Sequence, residues 1–131
     1  MASREWECTR SCGKPGSADA ARTQWESMAG TIGHLLTGHA LLRIVGGVIT
    51  HTDGDTGTTA VHFGTPTDAE IARYIASGEP IQVAGAFTLD GLGGWFVERI
   101  EGDPSNVIGI SMPLVRRMVE GAGLSITELW A

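Results

Sequence analysis

Strand-like and helix-like patterns alternate along this chain, and that alternation limits its fold more than any other feature of the sequence. The run GLGGWFVERIEGDPSNVIGISMPL, residues 91–114, holds a glycine hinge, an alternating strand, a turn of small polar residues and a helix start. Because such elements are interleaved along the chain, we expect an α/β or α+β domain.

Three segments have the spacing of amphipathic helices, and each starts at a residue that commonly caps a helix. Ser17 precedes ADAARTQWESMAG, and Ser111 precedes the last helix. Thr67 and Glu70 form a capping-box pattern at the start of TDAEIARYIASGEP. The residues expected to face the core are Ala21, Trp25 and Met28; Ile71, Tyr74 and Ile75; and Leu114, Val115, Met118 and Val119.

Three other segments are predicted strands because they are rich in β-branched and aromatic residues or alternate in polarity. They are HLLTGHALLRIV (34–45), TTAVHF (58–63) and WFVERI (95–100). The Asp-Gly content of HTDGDTG (51–57) predicts a loop or hairpin turn between the first two strands.

Glu98 is conspicuous because strand alternation places it between Phe96 and Ile100 on an apolar face. Burying a carboxylate without a partner costs several kcal/mol. The sequence therefore leaves two interpretations open. Either Glu98 has a cationic partner near a phosphate site, or it lies at a sheet edge in solvent.

Other polar residues are candidates for ligand contacts. Asp103 and Asn106, in the turn EGDPSN, can bond nearby backbone or present oxygens to a phosphate or a metal. Asp90 lies in AGAFTLDGLGG, where glycines allow a close backbone approach to a ligand. Lys14 precedes a proline in GKP, so it should project from an extended segment. The alternative interpretation is that EGDPSN only joins two elements and that the other side chains, such as Lys14, are solvated on the surface.

Charge and composition argue against several classes of protein. The formal net charge of −6, from 15 acidic and 9 basic side chains, makes a duplex nucleic-acid surface unexpected. Cys8 and Cys12 lack the second pair that a zinc site requires, and the 4 histidines have no chelating spacing. We see no secretory signal and no apolar stretch long enough for a membrane span, so a cytoplasmic location is expected.

Five pieces of the chain occur together in one known family. They are GKPGSADAARTQWESMAG, LLTGHALL, TAVHFGTPTDAEIARYIASGEP, AGAFTLDGLGGWFVERIEGDPSNVIGISMPL and LSITELWA. In this order they resemble the C-terminal part of the Maf family, the septum-formation Maf-like nucleoside triphosphate pyrophosphatases, and its actinobacterial branch in particular. Residues 13–131 carry the resemblance, and residues 1–12 are expected to be an unmatched, poorly ordered lead-in.

The resemblance implies a Maf/ITPase-like fold, in which a mixed, twisted sheet has flanking helices. It also implies hydrolysis of a nucleoside triphosphate to a monophosphate and pyrophosphate, assisted by Mg²⁺ or Mn²⁺. Lys14 matches the phosphate-side lysine of the family, and Asp90 falls where other branches carry the glutamine or glutamate linked to base preference. The remaining matches, on the segment that borders the cleft, are Glu98, Asp103 and Asn106.

The chain departs from the family at its front. The S-x-S-P-R-R motif and the A-D-T motif with the general-base aspartate are absent, so the resemblance implies a domain whose N-terminal part is missing. Such losses would cost orders of magnitude in rate. Two alternatives to an active enzyme follow: an inactive remnant that binds nucleotide, or a module that forms a homodimer through an uncovered sheet.

Overall fold

The computed structural model describes residues 14–130, apart from the side chain of Ala84, and the backbone of residues 4–6. The lead-in predicted for residues 1–12, which includes Cys8 and Cys12, otherwise lies outside the described residues. The helices are α1 (Ala18–Met28), α2 (Asp68–Ala76), α3 (Glu79–Gln82), α4 (Pro104–Ile108) and α5 (Met112–Gly121). The strands are β1 (Arg4–Trp6), β2 (Thr31–Val45), β3 (Val48–Phe63) and β4 (Val97–Glu101), and short 3-10 helices cover Ala84–Ala86, Leu92–Phe96 and Ile126–Leu129.

The strands lie in the order β1-β2-β3-β4 in a mixed sheet. β1 runs parallel to the start of β2, with Arg4 opposite Thr31. β4 runs antiparallel to the end of β3, with Ala60 opposite Glu101 and an irregularity between His62 and Phe63. The α/β class and the mixed sheet expected from the sequence are therefore confirmed, and β4 is an edge strand.

The described residues form two compact units. The first takes the described residues up to His34 together with Ala60–Glu101, and the second takes Leu35–Thr59 and residues 102–130. The candidate residues are divided between them, so each unit is described by itself below.

The core of the first unit is built around Trp25, whose side chain is 0% exposed. Its ring makes edge-to-face contacts with Phe63, Tyr74 and Phe96 at centroid distances of 5.8, 5.9 and 5.8 Å. Its indole Nε1–H donates a hydrogen bond to the carbonyl oxygen of Ala86, 2.7 Å away. This contact satisfies the one polar atom that burying a tryptophan would otherwise leave unpaired.

The predicted helix starts are confirmed because their caps form. The Ser17 hydroxyl accepts a hydrogen bond from the Ala20 amide at 3.2 Å. The Thr67 hydroxyl accepts from the Glu70 amide, and the Glu70 carboxylate accepts from the Thr67 amide. In the second unit Ser111 caps α5 in the same way. The predicted inward residues are all buried except Val115, which is half-buried.

The predicted turn at residues 51–57 is wrong, because this segment lies inside strand β3. The chain reverses earlier, at Gly46 and Gly47, whose φ angles are +56° and +80°. Two consecutive residues with positive φ match the twist of a tight hairpin, and glycine adopts such angles without a steric penalty. Pairing with β2 keeps the following Asp-Gly dipeptides extended, against their local preference for turns.

The predicted strand at residues 95–100 starts too early, because β4 begins at Val97. Trp95 and Phe96 end the preceding 3-10 helix, so strand alternation does not apply to them. Trp95 is 85% exposed, whereas Phe96 reaches the aromatic cluster around Trp25. The face shared by Phe96 and Glu98 in the prediction therefore does not exist.

Candidate functional site

In the first unit, the Glu79 carboxylate collects hydrogen bonds from a glycine-rich loop. We call residues 88–93 the Asp90 loop. Glu79 Oε1 accepts from the Tyr74 hydroxyl at 2.8 Å, from the Gly93 amide at 3.1 Å and from the Thr88 hydroxyl. Glu79 Oε2 accepts from the Leu92 amide at 3.1 Å. One side chain at the start of α3 thus bonds the loop on both sides of Asp90.

These contacts keep Glu79 ionised. Desolvation acts most strongly and raises the pKa of Glu79, but the hydrogen bonds from Thr88, Tyr74 and two loop amides together outweigh it. The net effect is a pKa below the ordinary value of 4.5. Burial, followed by the bond to Glu79, raises the pKa of Tyr74, so its hydroxyl stays protonated and donates.

Glycine is required where the loop meets the carboxylate. A Cβ on Gly91 would lie 2.9 Å from both Glu79 oxygens and also contact Thr88. A Cβ on Gly93 would lie 2.5 Å from the Tyr74 hydroxyl and 2.8 Å from the backbone of Thr88. A side chain at Gly91 would thus collide with the Glu79 carboxylate, and one at Gly93 would collide with Tyr74 and with the backbone of Thr88.

Residues 14–16, which we call the Lys14 segment, are hydrogen-bonded to the same short helix. The Gly16 amide donates to the carbonyl oxygen of Ile81, in α3, at 3.4 Å. Lys14 and Asp90 are both exposed. The structure therefore joins the Lys14 segment and the Asp90 loop to α3 at positions 81 and 79, although the two candidates are far apart in sequence.

Glu98 lies exposed on the edge strand β4, so the solvent-edge interpretation of this residue is the one that the structure supports. Its carboxylate borders Gly64, where a Cβ would approach Oε1 to 3.1 Å. The guanidinium of Arg99 pairs with Glu101 instead, and the His62 ring lies 3.4 Å from the same carboxylate.

In the second unit, the predicted turn EGDPSN begins helix α4, with Asp103 as its N-cap. The Asp103 carboxylate accepts hydrogen bonds from the Ser105 amide at 2.9 Å and from the Ser105 hydroxyl. The bond from the Ser105 hydroxyl is the main cause that holds the pKa of Asp103 below its usual range. Asp103 is thus anionic at neutral pH and already engaged within its own turn.

Asn106 joins this turn to both long strands of its unit. Its side chain is 1% exposed, and Nδ2 donates to the carbonyl oxygen of Leu35 at 3.3 Å and to the Thr59 hydroxyl at 3.2 Å. The Thr59 hydroxyl in turn donates to the backbone carbonyl of Asp103. Gly57 leaves room for the amide, since a Cβ there would lie 2.6 Å from Asn106 Oδ1.

A histidine completes the polar network of the second unit. The ring of His39 accepts a hydrogen bond at Nε2 from the Ser111 amide, 2.9 Å away. His39 Nδ1 lies 2.8 Å from the carbonyl oxygen of Thr37, so we assign the proton of the neutral ring to Nδ1.

Each unit has a hollow near these groups. The second unit has a cavity of about 220 Å³ whose lining includes Asp55, Thr58, Asp103, Asn106 and Arg117. The first has an open groove of about 770 Å³, bordered by α2 and by Leu92, Trp95 and Phe96. Lys14, Asp90 and Glu98 lie outside both linings.

The residues at 4–6 and 14–130 hold no cluster of three or more His, Cys, Asp or Glu able to bind a metal ion. The carboxylates of the second-unit cavity do not change this result, because both oxygens of Asp103 already accept hydrogen bonds from the Ser105 hydroxyl. The described residues thus do not fit a metal site of their own. Within the same ranges, no helix is long and apolar enough to cross a membrane.

Sequence reasoning missed Glu79, whose carboxylate accepts four hydrogen bonds in the first unit. The pattern of TDAEIARYIASGEP predicts one helix, whereas α2 stops at Ala76 and Glu79 opens the separate helix α3. The closely spaced glycines of the Asp90 loop were a usable signal, because they indicate that some group approaches the backbone closely.

Comparison with known proteins assigns the chain to a family. The Maf-like protein family model matches residues 5–122. A nucleoside triphosphate pyrophosphatase from Mycolicibacterium vanbaalenii is 77% identical over 118 residues, which is 90% of this chain and 56% of that protein.

Two further relatives carry the same name. The protein from Mycolicibacterium gilvum is 71% identical over 92% of this chain and 58% of its own length. The protein from Rhodococcus opacus is 59% identical over 91% of this chain and 56% of its own length. The chain thus spans somewhat more than half the length of these relatives. On this evidence it belongs to the Maf-like protein family.

Proposed function

We propose that this chain contributes to a nucleoside triphosphate pyrophosphatase, which hydrolyses the bond between the α- and β-phosphates to give a nucleoside monophosphate and pyrophosphate. The relatives' names supply the reaction. One structural observation supports the site: the Lys14 segment and the Asp90 loop are both hydrogen-bonded to α3. The proposed substrate is a nucleoside triphosphate, and we propose the cytoplasm as the location.

In this proposal the two exposed side chains have different roles. Lys14 supplies a cation for the phosphate oxygens, where positive charge stabilises the charge that develops during attack on phosphorus. Asp90, an acceptor without donors when ionised, contacts the base or sugar. Glu98, exposed on β4 of the same unit, is proposed to border the substrate. In the second unit, Asp103 and Asn106 line a cavity of their own and stay predicted ligand contacts.

A divalent cation, Mg²⁺ or Mn²⁺, is proposed to arrive with the substrate. Magnesium is commonly bound through substrate phosphates and only one or two carboxylates. Within residues 4–6 and 14–130, no cluster of three or more His, Cys, Asp or Glu is available to hold the ion.

The test is pyrophosphate release from a panel of nucleoside triphosphates with Mg²⁺ or Mn²⁺. We expect turnover by the 131-residue chain and a fall of about 100-fold in Lys14→Ala, the size of effect seen when one transition-state donor is removed. Arg116→Ala removes an equal charge from the exposed face of α5 and should keep the wild-type rate. Absence of turnover in the wild-type chain, or equal rates in both variants, would contradict the proposal.

Self-association is a second candidate function, favoured by one face of β2. Alternate residues of this strand are exposed and apolar: Leu36 is 65% exposed, Leu42 57% and Ile44 61%. Residues two apart share a face of a strand. We propose a second copy of the chain as the partner, because a two-fold axis would bring two identical apolar faces together.

Light scattering after size exclusion tests the homodimer. We expect a dimer for the wild-type chain and at least a tenfold weaker dimer for Leu42→Asp, which places a charge in the middle of the apolar face. Leu129→Asp changes a side chain of similar exposure outside β2 and should leave the dimer intact. A wild-type monomer at all concentrations would count against this candidate.

A further inference from the structure

The loop residues that donate hydrogen bonds to Glu79 lie on both sides of Asp90 in the sequence. Thr88 lies two residues before Asp90, and the amides of Leu92 and Gly93 follow it closely. We propose that Glu79 is a positioning residue, which holds the Asp90 loop in the shape from which Asp90 selects the nucleotide. This inference rests on the proposed function for its consequence in catalysis, but its structural part can be tested alone.

The arrangement requires a carboxylate and not merely a polar side chain. The groups that face Glu79 are all donors: two hydroxyls and two backbone amides. An ionised carboxylate has only acceptors and satisfies all of them. A glutamine at this position would turn one oxygen into an N–H donor, which would face the donors of the loop or of Tyr74. At least one loop bond must then break.

The tip of the loop also has a backbone hydrogen bond, from the Gly94 amide to the Gly91 carbonyl oxygen at 3.2 Å, but the bonds on both sides of Asp90 go to Glu79. Asp90 and Gly91 are exposed and lie outside every helix and strand. Glycine at positions 91 and 93 allows the approach to Glu79, but it also gives the free backbone a wide choice of conformations. Without the carboxylate, the loop would have to become ordered when the ligand binds. The conformational entropy lost in that ordering would lower the affinity for the ligand.

Loss of Glu79 should therefore act on substrate binding and selection more than on the chemical step. A loosened loop raises KM for the preferred nucleotide, and it lowers the ratio of kcat/KM between preferred and poor nucleotides. A merely structural loss of folded protein would instead lower kcat equally for all nucleotides and leave both KM and that ratio unchanged.

Amide hydrogen exchange at Leu92 and Gly93 tests the structural part. We expect at least tenfold faster exchange in Glu79→Gln than in the wild-type chain at neutral pH. Thr88→Val removes one donor while keeping the shape of the side chain and should give a smaller acceleration. Glu70→Gln, which neutralises the capping carboxylate of α2, should leave both amides as slow as in the wild-type chain. Unchanged exchange in Glu79→Gln would overturn the inference.

The kinetic part uses the nucleotide panel on the same proteins. We expect Glu79→Gln to raise KM about tenfold for the preferred nucleotide with kcat changed less than threefold, and to reduce selectivity between nucleotides. Equal loss of kcat on every nucleotide would overturn the positioning role. If the wild-type chain releases no pyrophosphate, the proposed function fails, and the exchange rates still decide whether Glu79 holds the loop.

Discussion

Replacing Trp25 by alanine is expected to lower the free energy of unfolding by about 3–5 kcal/mol, the range found for large aromatic residues removed from a core. The variant loses three edge-to-face ring contacts and the indole bond to Ala86, and it leaves a cavity between α1 and α2. Globular domains have a total stability of only about 5–15 kcal/mol, so this variant should unfold readily.

Urea or thermal unfolding, followed by circular dichroism, measures the effect. Trp95→Ala is the matched control, because it deletes the same side chain where it is 85% exposed, and it should change stability by less than about 0.5 kcal/mol. Equal destabilisation by the two substitutions would show that the first-unit core is not organised around Trp25.

Asn106→Asp is expected to lower stability by about 3 kcal/mol or more at pH 7, although it hardly changes the shape of the side chain. The substitution replaces the donor Nδ2 by a carboxylate oxygen that faces the Leu35 carbonyl and the Thr59 hydroxyl. At 1% exposure the new charge has no water to solvate it. The penalty combines lost hydrogen bonds with a buried, unpaired anion.

The pH dependence of this variant has a definite sign. Burial should raise the pKa of the introduced carboxyl group above the unfolded value of about 3.9. Its penalty is then complete above the raised pKa and shrinks as pH falls towards 4, because the protonated group can donate to Leu35 again. Unfolding measured from pH 4 to pH 8 should show the difference from wild type narrowing at low pH.

A control for the charge itself is available at Gln82, which is exposed at the end of α3. Gln82→Glu makes the same chemical change in solvent, and it should alter stability by less than about 0.5 kcal/mol at any of these pH values. A loss at position 106 as small as the loss at position 82 would contradict the role given to Asn106 in joining α4 to the strands.

Helices α1, α2 and α5 could be predicted from the sequence because their signals are local. Ser17, Thr67 and Ser111 cap their helices through contacts three residues away, and the apolar stripes follow the helical repeat. The family resemblance also came from the sequence, since it depends on the order of motifs and not on their contacts.

The hairpin and the edge strand could not be predicted in the same way. The segment at 51–57 has the composition of a turn, but its neighbour β2 extends along it and keeps it in a strand. Glu98 was grouped with Phe96 on one face because the alternation was counted from Trp95, two residues before β4 begins. In both cases pairing between distant segments overrides a local preference.

By itself the sequence determined where α1, α2 and α5 begin, the α/β class and the family, because each of these follows from residues close together or from their order along the chain. Only the tertiary structure decided that Glu79 bonds the loop around Asp90, that Gly16 meets Ile81, and that Asn106 bonds Leu35 and Thr59. Those contacts join residues up to 71 positions apart. Which distant donors meet a given acceptor depends on how the elements pack, and spacing along the chain does not record it.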